Sequence, residues 1–122
     1  MAKKILITED SPTILEILKS VLEEEGYEVN AAADGQQALN LVKAEKPDLI
    51  ILDLMLPKID GYKVCRMLKF DEKYKNIPII MLTARTNETD EKLGKEVGAD
   101  AYIKKPFQPE VVIDEIKKLL NR

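Results

Sequence analysis

Five polar side chains, Glu9, Asp10, Asp53, Thr83 and Lys105, stand at or just beyond the ends of short apolar runs. Three carboxylates converging on one crevice would repel one another. A hard divalent cation with oxygen ligands is the simplest way to hold them together at neutral pH, which implies a Mg2+ (or Mn2+) site. Lys105 adds a positive charge able to bind phosphate or carboxylate, and Thr83 adds a hydroxyl donor. With these neighbours Asp53 is a candidate nucleophile. It would attack a phosphoryl group and form an aspartyl phosphate while the cation spreads the charge of the transferring group. Plainer roles exist for most of these residues. Asp10 or Ser11 is also a good helix N-cap ahead of Pro12, Thr83 also a strand end, and Lys105 also a solvated loop lysine. Asp53 is harder to explain that way, because a charged carboxylate in an apolar strand costs several kcal/mol unless it is partnered.

Two hydrophobic periods alternate along the chain and place these residues. Lys4 to Thr8 is a predicted strand. Ser11 and Pro12 open a helix carrying Ile14, Leu15, Leu18, Val21 and Leu22, which Gly26 stops. Tyr27 to Ala32 is a second strand, and Asp34-Gly35 turns into a helix with Ala38, Leu39 and Val42 on one face, ending before Pro47. Asp48 to Asp53 is apolar between its end residues, as expected of a central parallel strand covered on both faces. Pro57 is expected to begin a third helix running to about Lys73, and Ile77 to Thr83 to form a fourth buried strand. A charged helix follows over Asn87 to Val97, then a strand over Asp100 to Lys104, and Pro109 opens a last helix bearing Val112, Ile116, Leu119 and Leu120. Alternating β-α units with short connections imply an α/β doubly wound parallel sheet, in which chemistry sits beyond the carboxyl ends of the strands.

The chain has 122 residues, the size of one domain with one core, and residues 1–122 are read as a single unit. Its 19 basic and 22 acidic side chains give a net charge of −3, which lacks the basic footprint of a nucleic-acid binder. One cysteine, Cys65, excludes an intrachain disulfide framework and suits a reducing compartment, so the expected location is the cytoplasm. No run approaches membrane-spanning length.

Six stretches in this order carry a family likeness: Ile7-Thr8-Glu9-Asp10-Ser11, Leu52-Asp53-Leu54-Met55-Leu56-Pro57, Asp60-Gly61, Pro78-Ile79-Ile80-Met81-Leu82-Thr83-Ala84, Gly98-Ala99 and Lys104-Lys105-Pro106-Phe107. Over essentially its whole length the chain resembles the receiver domains of two-component response regulators, of the single-domain, chemotaxis-regulator kind. The resemblance implies a flavodoxin-like five-stranded sheet of order 2-1-3-4-5 with five helices. It also implies Asp53 as phosphoacceptor, Asp10 and Asp53 as direct Mg2+ ligands, and the Met55 carbonyl as a third protein oxygen. Glu9 would act directly or through water; Asp is commoner at its position. Thr83 and Lys105 would hold the phosphoryl oxygens, Tyr102 would be the switch aromatic, and the Lys105-Pro106 bond would be cis.

By the same resemblance the partners would be a sensor histidine kinase and a downstream effector or fused output domain. The output surface would combine the fourth and fifth strands with the charged helix and the last helix, with phosphorylation-dependent dimerisation left open. Neither nucleic acid nor membrane is expected as a direct partner, and the domain is expected to act as a switch and not as an enzyme. Other classes fit less well. A flavin carrier of this fold would need a hydroxyl- and glycine-rich phosphate loop where Glu9 and Asp10 stand. A haloacid-dehalogenase-like phosphatase would want an Asp where Met55 stands. A phosphorylation-independent binding module on the same fold is the remaining alternative.

Overall fold

The computed structural model describes residues 2–83 and 98–121. Strands β1 (Lys4–Thr8), β2 (Glu28–Ala32), β3 (Leu49–Asp53), β4 (Ile79–Thr83) and β5 (Ala101–Lys104) alternate with helices α1 (Pro12–Glu24), α2 (Gly35–Glu45), α3 (Gly61–Lys69) and α4 (Pro109–Leu120). The charged helix expected over Asn87 to Val97 lies outside the described residues, as does its part of the expected output surface. All strand pairs are parallel and the order is β2-β1-β3-β4-β5, as the family resemblance implies.

Side-chain alternation along the strands divides the interior into two cores. Leu6, Ile50, Leu52, Ile79 and Met81 face α2 and α3, where Ala38, Val42, Val64 and Leu68 cover them. Ile5, Ile7, Ile51, Ile80 and Leu82 face α1 and α4, against Leu18, Leu22, Val112 and Ile116. Every residue of β3 and of β4 is buried, which is why both strands read as continuous apolar runs.

Helix starts are set by side-chain caps. The Ser11 hydroxyl accepts the Ile14 N–H at 3.4 Å, with Pro12 at the first helical position. Capping of α1 therefore falls to Ser11 and leaves the Asp10 carboxylate free for other work. Asp34 caps α2 through the Gln37 N–H at 2.8 Å. The third helix departs from expectation: it begins at Gly61, not Pro57, and ends at Lys69. Lys58 takes a left-handed φ of 67° and the Ile59 N–H donates to the Pro57 carbonyl at 2.8 Å, so this segment is a tight turn; Asp60 then caps the helix through Lys63 N–H. At the other end Asp71 accepts the Lys73 N–H at 2.9 Å, a local bond that competes with helix continuation.

Candidate functional site

The sheet's order reverses at β1, which neighbours both β2 and β3, and the crevice lies at the carboxyl ends of β1 and β3. Thr8 stands opposite Leu52, so the next residues, Glu9 and Asp53, are level with each other. Glu9 is 1% exposed and Asp53 3%, a degree of burial that ionised carboxylates tolerate only with partners. Lys105 partners both: its Nζ lies 2.9 Å from Glu9 Oε1 and 3.0 Å from Asp53 Oδ2. The second Asp53 oxygen, Oδ1, accepts the Met55 N–H at 3.1 Å, and Glu9 Oε2 accepts the Ser11 N–H at 3.3 Å.

Asp10, exposed at the mouth, completes a carboxylate triad with Glu9 and Asp53, one oxygen of each lying within 4.8 Å of the others. An all-oxygen, acidic donor set of this kind fits a hard dication such as Mg2+ and would not favour a soft metal. Burial pushes the Glu9 carboxyl up to about 7, assisted by its hydrogen bond with Asp53 and that residue's charge; the Lys105 ammonium and the Ser11 N–H pull the other way. Burial also acts to lower Lys105, but its hydrogen bonds to Glu9 and Asp53 and their charges outweigh it, leaving the ammonium above its ordinary range.

Glu9, Asp10, Asp53 and Lys105 thus come together at one crevice, where Met55 meets Asp53 through its backbone N–H. Thr83 is fully buried at the end of β4, one residue beyond Leu82, the register partner of Asp53, and its carbonyl accepts the Lys105 N–H at 2.6 Å. Tyr102 lies outside this cluster. It pairs with Met81 in register and packs against the core on the α2 and α3 side, and its hydroxyl is buried without a hydrogen-bond partner among the described residues. Two supports are backbone groups that a residue-type search does not see. One is the Ser11 N–H on Glu9. The other is Gly61, whose N–H donates to the Leu54 carbonyl at 3.0 Å and whose missing side chain leaves room for the Asp53 carbonyl. The Asp60-Gly61 pair was the only sequence signal for the second.

A family model described as the response regulator receiver domain matches residues 5–117. The chain is 48% identical over 122 residues to the alkaline phosphatase synthesis transcriptional regulatory protein PhoP of Bacillus subtilis (strain 168), covering 100% of this chain and 50% of that protein. It spans about half the length of the curated relatives it matches. Among solved structures, the signal receiver domain of a signal transduction histidine kinase from Syntrophus aciditrophicus is 42% identical with a TM-score of 0.93, covering 98% of this chain and 91% of that one. The receiver domain of sensor histidine kinase PA1611 from Pseudomonas aeruginosa PAO1, with a magnesium ion coordinated in its active site cleft, is 30% identical with a TM-score of 0.91 over 100% of both chains. With its sheet order, its acidic crevice and a family match over nearly all its length, the chain belongs to the response regulator receiver domain family.

Proposed function

We propose that the chain is a phosphorylation-controlled switch in which Asp53 accepts a phosphoryl group, with Mg2+ bound, from a histidine kinase or a small phosphodonor. The observation that carries this is the Lys105 ammonium shared between Glu9 and Asp53 at the β1–β3 crevice. It neutralises a nucleophilic carboxylate yet is attached at only one Asp53 oxygen, Oδ2, so it can transfer to an oxygen of the incoming group.

Glu9, Asp10 and Asp53, with the Met55 carbonyl, would hold Mg2+, which supplies neutralisation of the charge on the transferring phosphoryl group. The Met55 N–H orients the Asp53 carboxylate by holding Oδ1. An Asp53 oxygen forms its bond to phosphorus as the bond to the donor breaks and the leaving group departs with its electron pair. Lys105 and the Thr83 hydroxyl then bind phosphoryl oxygens, and movement of Thr83 would be read by Tyr102, which lies on the same face of the sheet. The product is a conformation at the surface around β4, β5 and α4, available to an effector or an output domain. A swing from 1:99 to 99:1 takes about 5.5 kcal/mol of differential stabilisation, within reach of a group held by several charge-assisted contacts.

The chain contains no histidine, so a phosphohistidine must come from a partner. An apolar groove of about 560 Å3 between α1 and the segment after β5, lined by Ile14, Ile17, Pro106 and Phe107 and reaching Lys105, supports docking of a protein donor beside Asp53. Intact mass after incubation with acetyl phosphate and Mg2+ tests the proposal. One added phosphoryl group, lost in Asp53→Asn and lost on chelation, is the expected result. No gain in a folded protein that also ignores histidine kinases would favour the phosphorylation-independent binding module instead.

A further inference from the structure

The Asp34-Gly35 turn contributes no member of the carboxylate cluster, yet its backbone packs on the loop that leaves Asp53. That loop contains a strained element. Lys58 sits at a φ of 67° inside a turn closed by the Ile59 N–H on the Pro57 carbonyl at 2.8 Å, the rare positive-φ form of the γ-turn. A bulky L-residue holds such a conformation only where its surroundings over-determine it. Here the surroundings are the start of α2. The Gly35 N–H points at the same Pro57 carbonyl at 3.5 Å, and the Gly35 α-carbon packs so closely on the Ile59 carbonyl that a side chain there would collide with it. Asp34 reaches across to Lys58 at 3.6 Å. At the far end of the loop, Gly61 closes on Leu54 and on the Asp53 carbonyl. The Met55 N–H that orients Asp53 is therefore carried by a short segment clamped between two glycines.

We infer that Gly35, with Asp34, is a positioning residue for the phosphoacceptor site: it seats the Pro57–Ile59 turn and thereby holds the Met55 backbone against Asp53. The inference rests on the function proposed above. A side chain at position 35 displaces Ile59, lets the turn relax, and loosens the loop at the end that faces the cation and the phosphoryl group.

The test uses Mg2+ alone as probe, titrated calorimetrically into the wild type, Gly35→Ala, and Leu119→Val as a control that loosens the opposite core. Gly35→Ala is expected to bind Mg2+ about tenfold more weakly, with Leu119→Val unchanged. Lys58→Gly, which removes the need for a strained residue, is expected to restore part of the affinity when combined with Gly35→Ala. The same Gly35→Ala protein is expected to need more Mg2+ for half-maximal phosphorylation by acetyl phosphate, with the rate at saturating Mg2+ much less affected. Should Gly35→Ala fail to fold, amide exchange of the wild type decides: protection of the Gly35 and Ile59 amides is expected to rise when Mg2+ binds. Wild-type affinity in folded Gly35→Ala, equal losses in Gly35→Ala and Leu119→Val, or unchanged amide protection would each overturn the inference and leave the phosphoacceptor reading intact. A wild type that binds no Mg2+ would remove both.

Discussion

Glu9, Asp53 and Lys105 form a buried group of two carboxylates and one ammonium, so one negative charge is left over when all three are ionised. Burial, assisted by the hydrogen bond with Asp53 and that residue's charge, raises the Glu9 carboxyl from 4.5 to about 7. Because the folded value lies above the unfolded one, the native state binds more protons between these two pH values. The stabilisation this gives is full below about 4.5 and is lost as pH rises through about 7. In metal-free protein the wild type is expected to lose up to about 3 kcal/mol of stability across that window relative to Glu9→Gln. Urea unfolding at a series of pH values measures it; parallel curves for the two proteins would show that Glu9 carries no excess proton.

Among the elements, α3 is tied to the sheet at the end opposite the acidic crevice. Lys69 Nζ lies 2.6 Å from Asp100 Oδ2 and donates to the Ile77 carbonyl at 2.8 Å, while the same Asp100 oxygen accepts the Ile79 N–H at 2.8 Å. One lysine thus joins the end of α3, the segment leading to β4 and the segment leading to β5. Both side chains are mostly shielded, so this pair exceeds an ordinary surface ion pair in worth. Lys69→Met is expected to cost about 2 kcal/mol, and Asp100→Asn in the same chain to recover part of that by removing the stranded charge. A denaturation midpoint for Lys69→Met within error of the wild type would reduce the pair to a passive surface contact.

For the molecule as a whole, the acidic crevice is a point of stored repulsion at the join of β1 and β3, and a cation bound there would stabilise the fold by mass action. Mg2+ at one hundred times its dissociation constant adds about 2.7 kcal/mol, on the order of 10 °C in the unfolding midpoint of a domain this size. Asp10→Asn, which leaves the buried pair in place, should shrink that rise. Equal midpoints in Mg2+ and in chelator would mean that the carboxylates do not hold the ion together.

Local covalent and hydrophobic facts were sufficient for much of this molecule. The continuous apolar runs of β3 and β4 announced central parallel strands because burial on both faces leaves no polar position before their last residues, Asp53 and Thr83. Ser11-Pro12 and Asp34-Gly35 announced helix starts because capping is a short-range bond, and Glu9, Asp10, Asp53, Thr83 and Lys105 were legible because each follows such a run. Tertiary structure alone decided where the third helix begins, since the proline signal at Pro57 was overridden by the turn at Lys58, against which Gly35 of another element packs. It alone decided that Ser11 and not Asp10 caps α1, freeing a carboxylate for the crevice. Composition and spacing likewise could not place Lys105 between Glu9 and Asp53: that bridge joins residues about ninety-six and fifty-two positions apart, and it forms only when parallel strands bring their carboxyl ends level.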